Sequence, residues 1–262
     1  MWASSVLKLY RRFFGSTANP EGLQSGVEAI LDGNTAVAVT EACIAETAGL
    51  GGTVPADGAG RTWVSEQTRE DTNFFGRPLT SRNSGEPRGA IASSIGSALS
   101  GSRATAFVSG HDLTQSLDLL RLAVGRHVPL VVQVGARAAE KHAIPSGTGH
   151  DGYHAASEAG CFQLFARNVQ QAVDFTLVAR RTAELGLVPG IVAMDSGETA
   201  IAAQEVHLPT PELVKEFLGA PSDSIATPTG AQKLLYGDKR RRIPLGHDLD
   251  RPVLLGGFQG PE

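Results

Sequence analysis

The sequence predicts an α/β protein: an open, mostly parallel sheet with helices on both faces, followed by an irregular C-terminal arm. Three observations lead there. From residue 27 onward, helix-like and strand-like segments alternate, as in β-α-β construction. Residues 128–134 and 187–194 are nearly continuous apolar runs, expected of strands buried on both faces. Helix-start residues precede the amphipathic stretches.

Taken in order, residues 1–26 form an extension. Trp2, Val6, Leu9, Tyr10 and Phe13 recur at roughly helical spacing, with Lys8, Arg11 and Arg12 as its charges before Glu21. It reads either as a targeting segment or as an amphipathic helix docked on a partner. The expected compartment is therefore the cytoplasm, with the mitochondrial matrix as the alternative. Residues 27–206 form the α/β domain. Asn34 and Thr35 start a helix over 36–48, and residues 53–55 are a short strand end before a Gly-rich loop. Residues 90–99 are a small-residue helix suited to close backbone packing, and Ala104–Ser109 is an apolar strand. Asp112 is expected to cap a helix carrying Leu113, Leu117 and Leu120, with Gln115 in the capping-box position. Asn168 caps another, with Val169, Ala172, Val173 and Leu177 on one face and Gln171 completing its box. After Ser196 the regularity stops, and residues 207–262, rich in Pro and Gly, read as an arm that wraps or reaches.

With 41% hydrophobic and 19% charged residues the chain has the composition of a globular protein, and its net charge of -4 argues against a nucleic-acid surface. Lys239-Arg240-Arg241-Arg242 is the one dense basic cluster and reads as a solvated loop. Cys43 and Cys161 lack a CxxC context, cannot supply a four-thiolate cluster, and read as core thiols. No apolar run reaches ~18 residues, so no membrane-spanning helix is expected.

Two side chains stand out for chemistry. Glu86 lies in Ser84-Gly85-Glu86-Pro87-Arg88-Gly89-Ala90, just ahead of the small-residue helix. Pro87 suits a first turn and a carboxylate suits the helix dipole there. Arg88 is the nearest cation in sequence able to pair with Glu86. Arg137 closely follows the 128–134 strand, where open α/β sheets place ligands, and a guanidinium grips a carboxylate bidentately. His111, in Ser109-Gly110-His111-Asp112, suits either a proton shuttle or a plain turn. The seven histidines show no metal-ligand spacing, and no phosphate-loop motif follows a strand.

Several pieces share an order and spacing: Asp32-Gly33-Asn34-Thr35-Ala36-Val37-Ala38, Asn73-Phe74-Phe75-Gly76, Glu86 in its Gly/Ala-rich stretch, Gly135-Ala136-Arg137-Ala138, Gly149-His150-Asp151, and Arg251-Pro252-Val253-Leu254-Leu255-Gly256-Gly257. Through them, from about residue 27 to the end, the chain resembles the first domain of the pyruvate:ferredoxin (2-oxoacid:ferredoxin) oxidoreductases. The resemblance implies a thiamine-diphosphate-binding-like fold that grips the aminopyrimidine end of the cofactor. It implies that Glu86 is the cofactor-binding and catalytic carboxylate, because a carboxylate against the pyrimidine promotes the tautomer that activates the thiazolium. It implies that Arg137 binds the carboxylate of the substrate.

The family's Tyr-Pro-Ile-Thr-Pro-like strand end corresponds to Gly51-Gly52-Thr53-Val54-Pro55. Val54 stands where the family's substrate-contacting Thr belongs. Thr53 is the nearest hydroxyl for substrate binding, one step away on an alternating strand. The implied reaction is oxidative decarboxylation of pyruvate or a related 2-oxoacid to an acyl-CoA. This chain would be a pyrimidine-domain subunit or fragment, inactive alone, with the diphosphate site and the iron–sulfur clusters on partner chains or domains. The departures at residues 51–54 and 87–88 point to the alternative, a catalytically degenerate homologue serving as a structural, accessory subunit of a larger complex.

Overall fold

A computed structural model describes residues 26–51, 58–67, 72–138 and 148–246. Its core is a six-stranded sheet of β2 (Thr47–Leu50), β3 (Thr80–Asn83), β4 (Ala104–Ser109), β5 (Val131–Ala136), β6 (Phe162–Ala166) and β7 (Gly190–Asp195). All neighbours pair in parallel, in the spatial order β3-β2-β4-β5-β7-β6. An antiparallel pair, β1 (Val27–Leu31) with β8 (Gln204–Leu208), stands apart from it.

Alternation along the strands builds two cores, one on each face. Ala104, Ala106 and Val108 of β4, with Val132, Val134, Ile191 and Ala193, pack against α3 (Pro87–Leu99), α4 (Gly110–Thr114) and α5 (Leu117–Gly125). Phe107, Ala48 and Leu50 point the other way. They meet α1 (Gly33–Ile44), Trp63 of α2 (Gly58–Gln67) and Ala172 of α7 (Val169–Gly186). The small residues of α3 serve close packing: a Cβ on Gly49 of β2 would come within 2.0 Å of the Ala90 carbonyl.

A buried polar cluster is threaded through the second face. Arg180 of α7 donates to Glu41 of α1 at 3.0 and 3.2 Å, and Gln133 and Thr105 of the sheet also donate to Glu41. Both ionic side chains are fully buried. A second buried pair, Arg103–Glu184 at 2.6 Å, lies beside the first: Arg103 precedes Ala104, whose carbonyl accepts from Arg180, and Glu184 is one turn beyond Arg180 on α7.

Several expectations need correction. The first helix ends at Ile44, and residues 47–50 are a central strand, because Ala45 turns to extended backbone after the last helical turn. Its N-cap is Asp32, which accepts from the Thr35 N–H at 2.8 Å. The helix after β4 is capped by Ser109 rather than Asp112. Asp112 is the third residue of that capping box, accepting from the Ser109 N–H. What reads as one helix is two, α4 and α5. Asn168 does cap α7, but Gln171 accepts from the Arg167 N–H instead of completing a box on Asn168.

The arm is not irregular in its described part. The boundary expected at residue 206 falls inside β8. Beyond it come α8 (Pro211–Leu218), β9 (Ser224–Ala226), α9 (Gly230–Tyr236) and β10 (Lys239–Arg241). Nor is the basic run a solvated loop. Arg240 is only 4% exposed and donates to the Glu184 and Leu185 carbonyls at the end of α7 and to Gln232. A cation there satisfies orphan carbonyls and the helix dipole. Burial pushes the guanidinium down to about 10, so it stays charged at neutral pH. Cys43 is buried. Cys161 is half-buried, its thiol pushed up to about 12 by burial, as a core thiol's would be. Residues 1–25 of the 1–26 extension and the 251–257 segment lie outside the described residues. No helix among the described residues is long and apolar enough to cross a membrane.

Candidate functional site

The chain steps from β2 to β3 on one side and then returns to place β4 on the other. Such a reversal opens a crevice between the loops at the strands' carboxyl ends. Glu86 and Arg137 flank that crevice. Glu86 ends the turn after β3, and Arg137 directly follows β5. With strands about 4.8 Å apart, the three intervals from β3 to β5 separate the two positions by about 14 Å along the edge. They share the edge without touching.

The Glu86 turn is built locally. Asn83 Oδ1 accepts from the Gly85 N–H, Gly85 takes φ +70°, and Ser84 Oγ donates to the Glu86 carbonyl at 2.9 Å. This leaves Glu86 extended as the N-cap of α3, exposed, with its carboxylate making no capping bond. Arg88 does not pair with it. Its guanidinium binds Asp118 of α5 through both oxygens, at 2.8 and 2.6 Å, and the Gln115 carbonyl at 2.8 Å.

Arg137 is exposed, and its guanidinium makes no hydrogen bond or ion pair with a described residue. Its backbone is tightly held. It bridges Thr148, and Gly110 packs so close that a Cβ there would lie 2.9 Å from the Arg137 carbonyl. Gly152 of α6 (Asp151–Ala155) in turn presses on Gly110, where a Cβ would come within 2.1 Å of its carbonyl. Sequence reasoning passes over the packing role of these two glycines; the Ser-Gly-His turn was the available signal for one of them. His150, beside the bridge, lies 3.4 Å from Asp195, and its ring packs tilted against Phe165 with centroids 4.7 Å apart. His111 bonds Gln115 at 2.7 Å.

The N-terminus of α1 reaches the same edge. Gly33 and Asn34 donate their N–H groups to the Thr199 and Ala200 carbonyls, just past β7. Asn34 Oδ1 is buried without a hydrogen-bond partner, an acceptor left for a ligand or water. Thr53 and Val54 lie outside the described residues, so of the expected site residues the structure places Glu86 and Arg137.

Comparison with known proteins bears on this edge. The family model described as pyruvate flavodoxin/ferredoxin oxidoreductase, thiamine diphosphate-binding, matches residues 83–252, well over half the chain. Pyruvate synthase subunit PorA of Pyrococcus furiosus is 31% identical over 134 residues, covering 50% of this chain and 33% of the relative. A pyruvate-flavodoxin oxidoreductase of Klebsiella pneumoniae is 24% identical over 238 residues, 91% of this chain and 19% of the relative. The chain thus spans a third or less of the length of these relatives. A 2-oxoglutarate:ferredoxin oxidoreductase from Magnetococcus marinus, solved with 2-oxoglutarate, coenzyme A and succinyl-CoA bound, superposes with a TM-score of 0.59 at 19% identity. The superposition covers 71% of this chain and 32% of that one, a likeness of fold. The fold, the strand-end crevice and the match over residues 83–252 agree: the chain belongs to the thiamine-diphosphate-binding domain family of the pyruvate flavodoxin/ferredoxin oxidoreductases.

Proposed function

We propose that this chain is the pyrimidine-binding domain, as a subunit or fragment, of a 2-oxoacid:ferredoxin-type oxidoreductase that works with partner domains. The observation that carries the reading is the uncommitted Glu86. With Arg88 engaged by Asp118, an exposed carboxylate stands at the crevice with no cation of a described residue on it. The donor set fits the aminopyrimidine end of thiamine diphosphate. Glu86 accepts from a ring N–H, and Asn34 Oδ1 is a free acceptor for an amino group. Arg137 offers an unpaired fork to the carboxylate of a 2-oxoacid, and Thr53 is the proposed hydroxyl contact. Bound thiamine supplies the nucleophilic carbon for decarboxylation. Glu86 holds the proton on the ring that such activation needs, and Arg137 orients the substrate. The diphosphate, its magnesium and the iron–sulfur clusters belong to partner domains.

A second reading, a structural accessory subunit, is favoured by apolar side chains left on the surface: Leu234 is 90% exposed and Ile30 75%. Calorimetry of thiamine diphosphate with magnesium on the native assembly decides between them. Magnesium-dependent binding is expected, with Glu86→Gln lowering turnover by ~100-fold or more. An assembly that binds no thiamine in wild-type form sinks the enzyme reading and leaves the structural one.

A further inference from the structure

Glu28 lies directly across from His207 in the β1–β8 ribbon, and Glu205 lies across from Ile30, two residues along the same pair. Residues two apart on a strand share a face, so the three side chains rise on one side of the ribbon. One donor atom of each falls within 4.8 Å of the others, and all three are exposed. His207 Nδ1 stands 3.7 Å from Glu28 Oε1. An ion bonded to both at about 2.1 Å would subtend about 120° between them, within the range of a distorted tetrahedral site. The His207 backbone is anchored from outside the trio. Gln170 of α7 accepts from its N–H at 2.8 Å and donates to its carbonyl at 3.2 Å. The imidazole therefore swings from a fixed point.

We propose that Glu28, Glu205 and His207 bind a first-row divalent transition-metal ion, with water completing the shell. The carboxylates are hard donors that many divalent ions accept, and the imidazole tips the set toward zinc and its neighbours; magnesium prefers oxygen ligands and retains its waters. The ion ties β1 to β8 at a consequential place. Leu31, the end of β1, leads into the Asp32 cap of α1, and β8 follows the Thr199–Ala200 carbonyls that receive the α1 N–H groups. A metal cross-link between the strands braces the α1 N-terminus at the crevice. This inference stands apart from the thiamine reading and survives its failure.

Zinc chloride titrated into the full chain by calorimetry is the test, with magnesium chloride as the control. One zinc site is expected, weakened about tenfold or more by each of Glu28→Gln, Glu205→Gln and His207→Ala. Zinc should also raise the melting temperature of the wild type, a chelator should reverse the rise, and the Glu28→Gln/His207→Ala pair should abolish it. The replaced side chains are exposed, so the metal-free variants should melt like the wild type; that control separates lost ligation from lost folding. A wild type that takes up no zinc overturns the proposal. So does a double variant that binds it with undiminished affinity.

Discussion

Arg88 grips Asp118 thirty residues away rather than Glu86 two residues away. The geometry of α3 explains the choice. Glu86 is the N-cap with extended backbone, whereas Arg88 lies inside the first turn and projects toward the start of α5. Both partners are exposed, at 47% and 61% of their side chains. The Arg88 hydrogen bond holds the Asp118 carboxyl below the usual carboxylate range. A lowered carboxylate contributes stability above its unfolded value and loses it as pH falls through the folded one. Arg88→Ala should therefore lower the melting temperature slightly at neutral pH, and not at all once the pH is below the lowered Asp118 value or in high salt. Thiamine binding by the assembly should be unchanged. Melts across pH and salt check the first part. Binding gained only on removing Arg88 would show that Arg88 shields Glu86 after all.

Arg137→Lys should raise the apparent Michaelis constant for a 2-oxoacid in the assembled enzyme and leave folding alone. Lysine keeps the charge and loses the fork. The Arg137 backbone is fixed by the Thr148 bridge, and its side chain has no described partner to lose. A large fall in melting temperature with unchanged substrate affinity would assign Arg137 a structural role.

Replacing Arg180 by Leu should cost about 3–5 kcal/mol, because the fully buried Glu41 loses its cation while Gln133 and Thr105 alone remain. Pairing it with Glu41→Leu should recover much of that loss, since an apolar pair carries no desolvation penalty. Urea unfolding of the two single variants and the double variant measures the coupling. Additive losses would refute it.

Gly49→Ala and Gly96→Ala should move stability in opposite directions. At Gly49 the new methyl meets the Ala90 carbonyl at 2.0 Å and Ser94 Oγ at 2.4 Å, so β2 and α3 must separate, at a cost of about 1–3 kcal/mol. At Gly96, inside α3, nothing lies within 4 Å, and relief of backbone entropy should add about 0.5–1 kcal/mol. Chemical denaturation of each variant reads both signs.

The sheet was largely legible because each central strand carries its own signal. Ala104–Ser109 reads as a strand over the residues where it occurs, with six consecutive buried positions. The 36–48 stretch misleads because small and apolar residues run from α1 into β2 with no Gly or Pro between them to mark the break. Only Ala45, which is extended, and Glu46 separate them. The residues after 196 mislead in the opposite way. Their elements are short and interrupted by Pro and Gly, and they are held by contacts to distant parts of the chain, such as Arg240 on the Glu184 carbonyl.

What the sequence by itself determined is the strand–helix alternation, the family, and the identity of Glu86 and Arg137 as the carboxylate and guanidinium at the strand ends. Those reside in local pattern and motif order. The tertiary structure alone decided which charges meet. Glu41 and Arg180 pair across 139 residues, and Glu28, Glu205 and His207 gather only through the register of β1 on β8. Coulomb and hydrogen-bond energies act over a few ångströms, and sequence distance says nothing about which ångströms the fold will close.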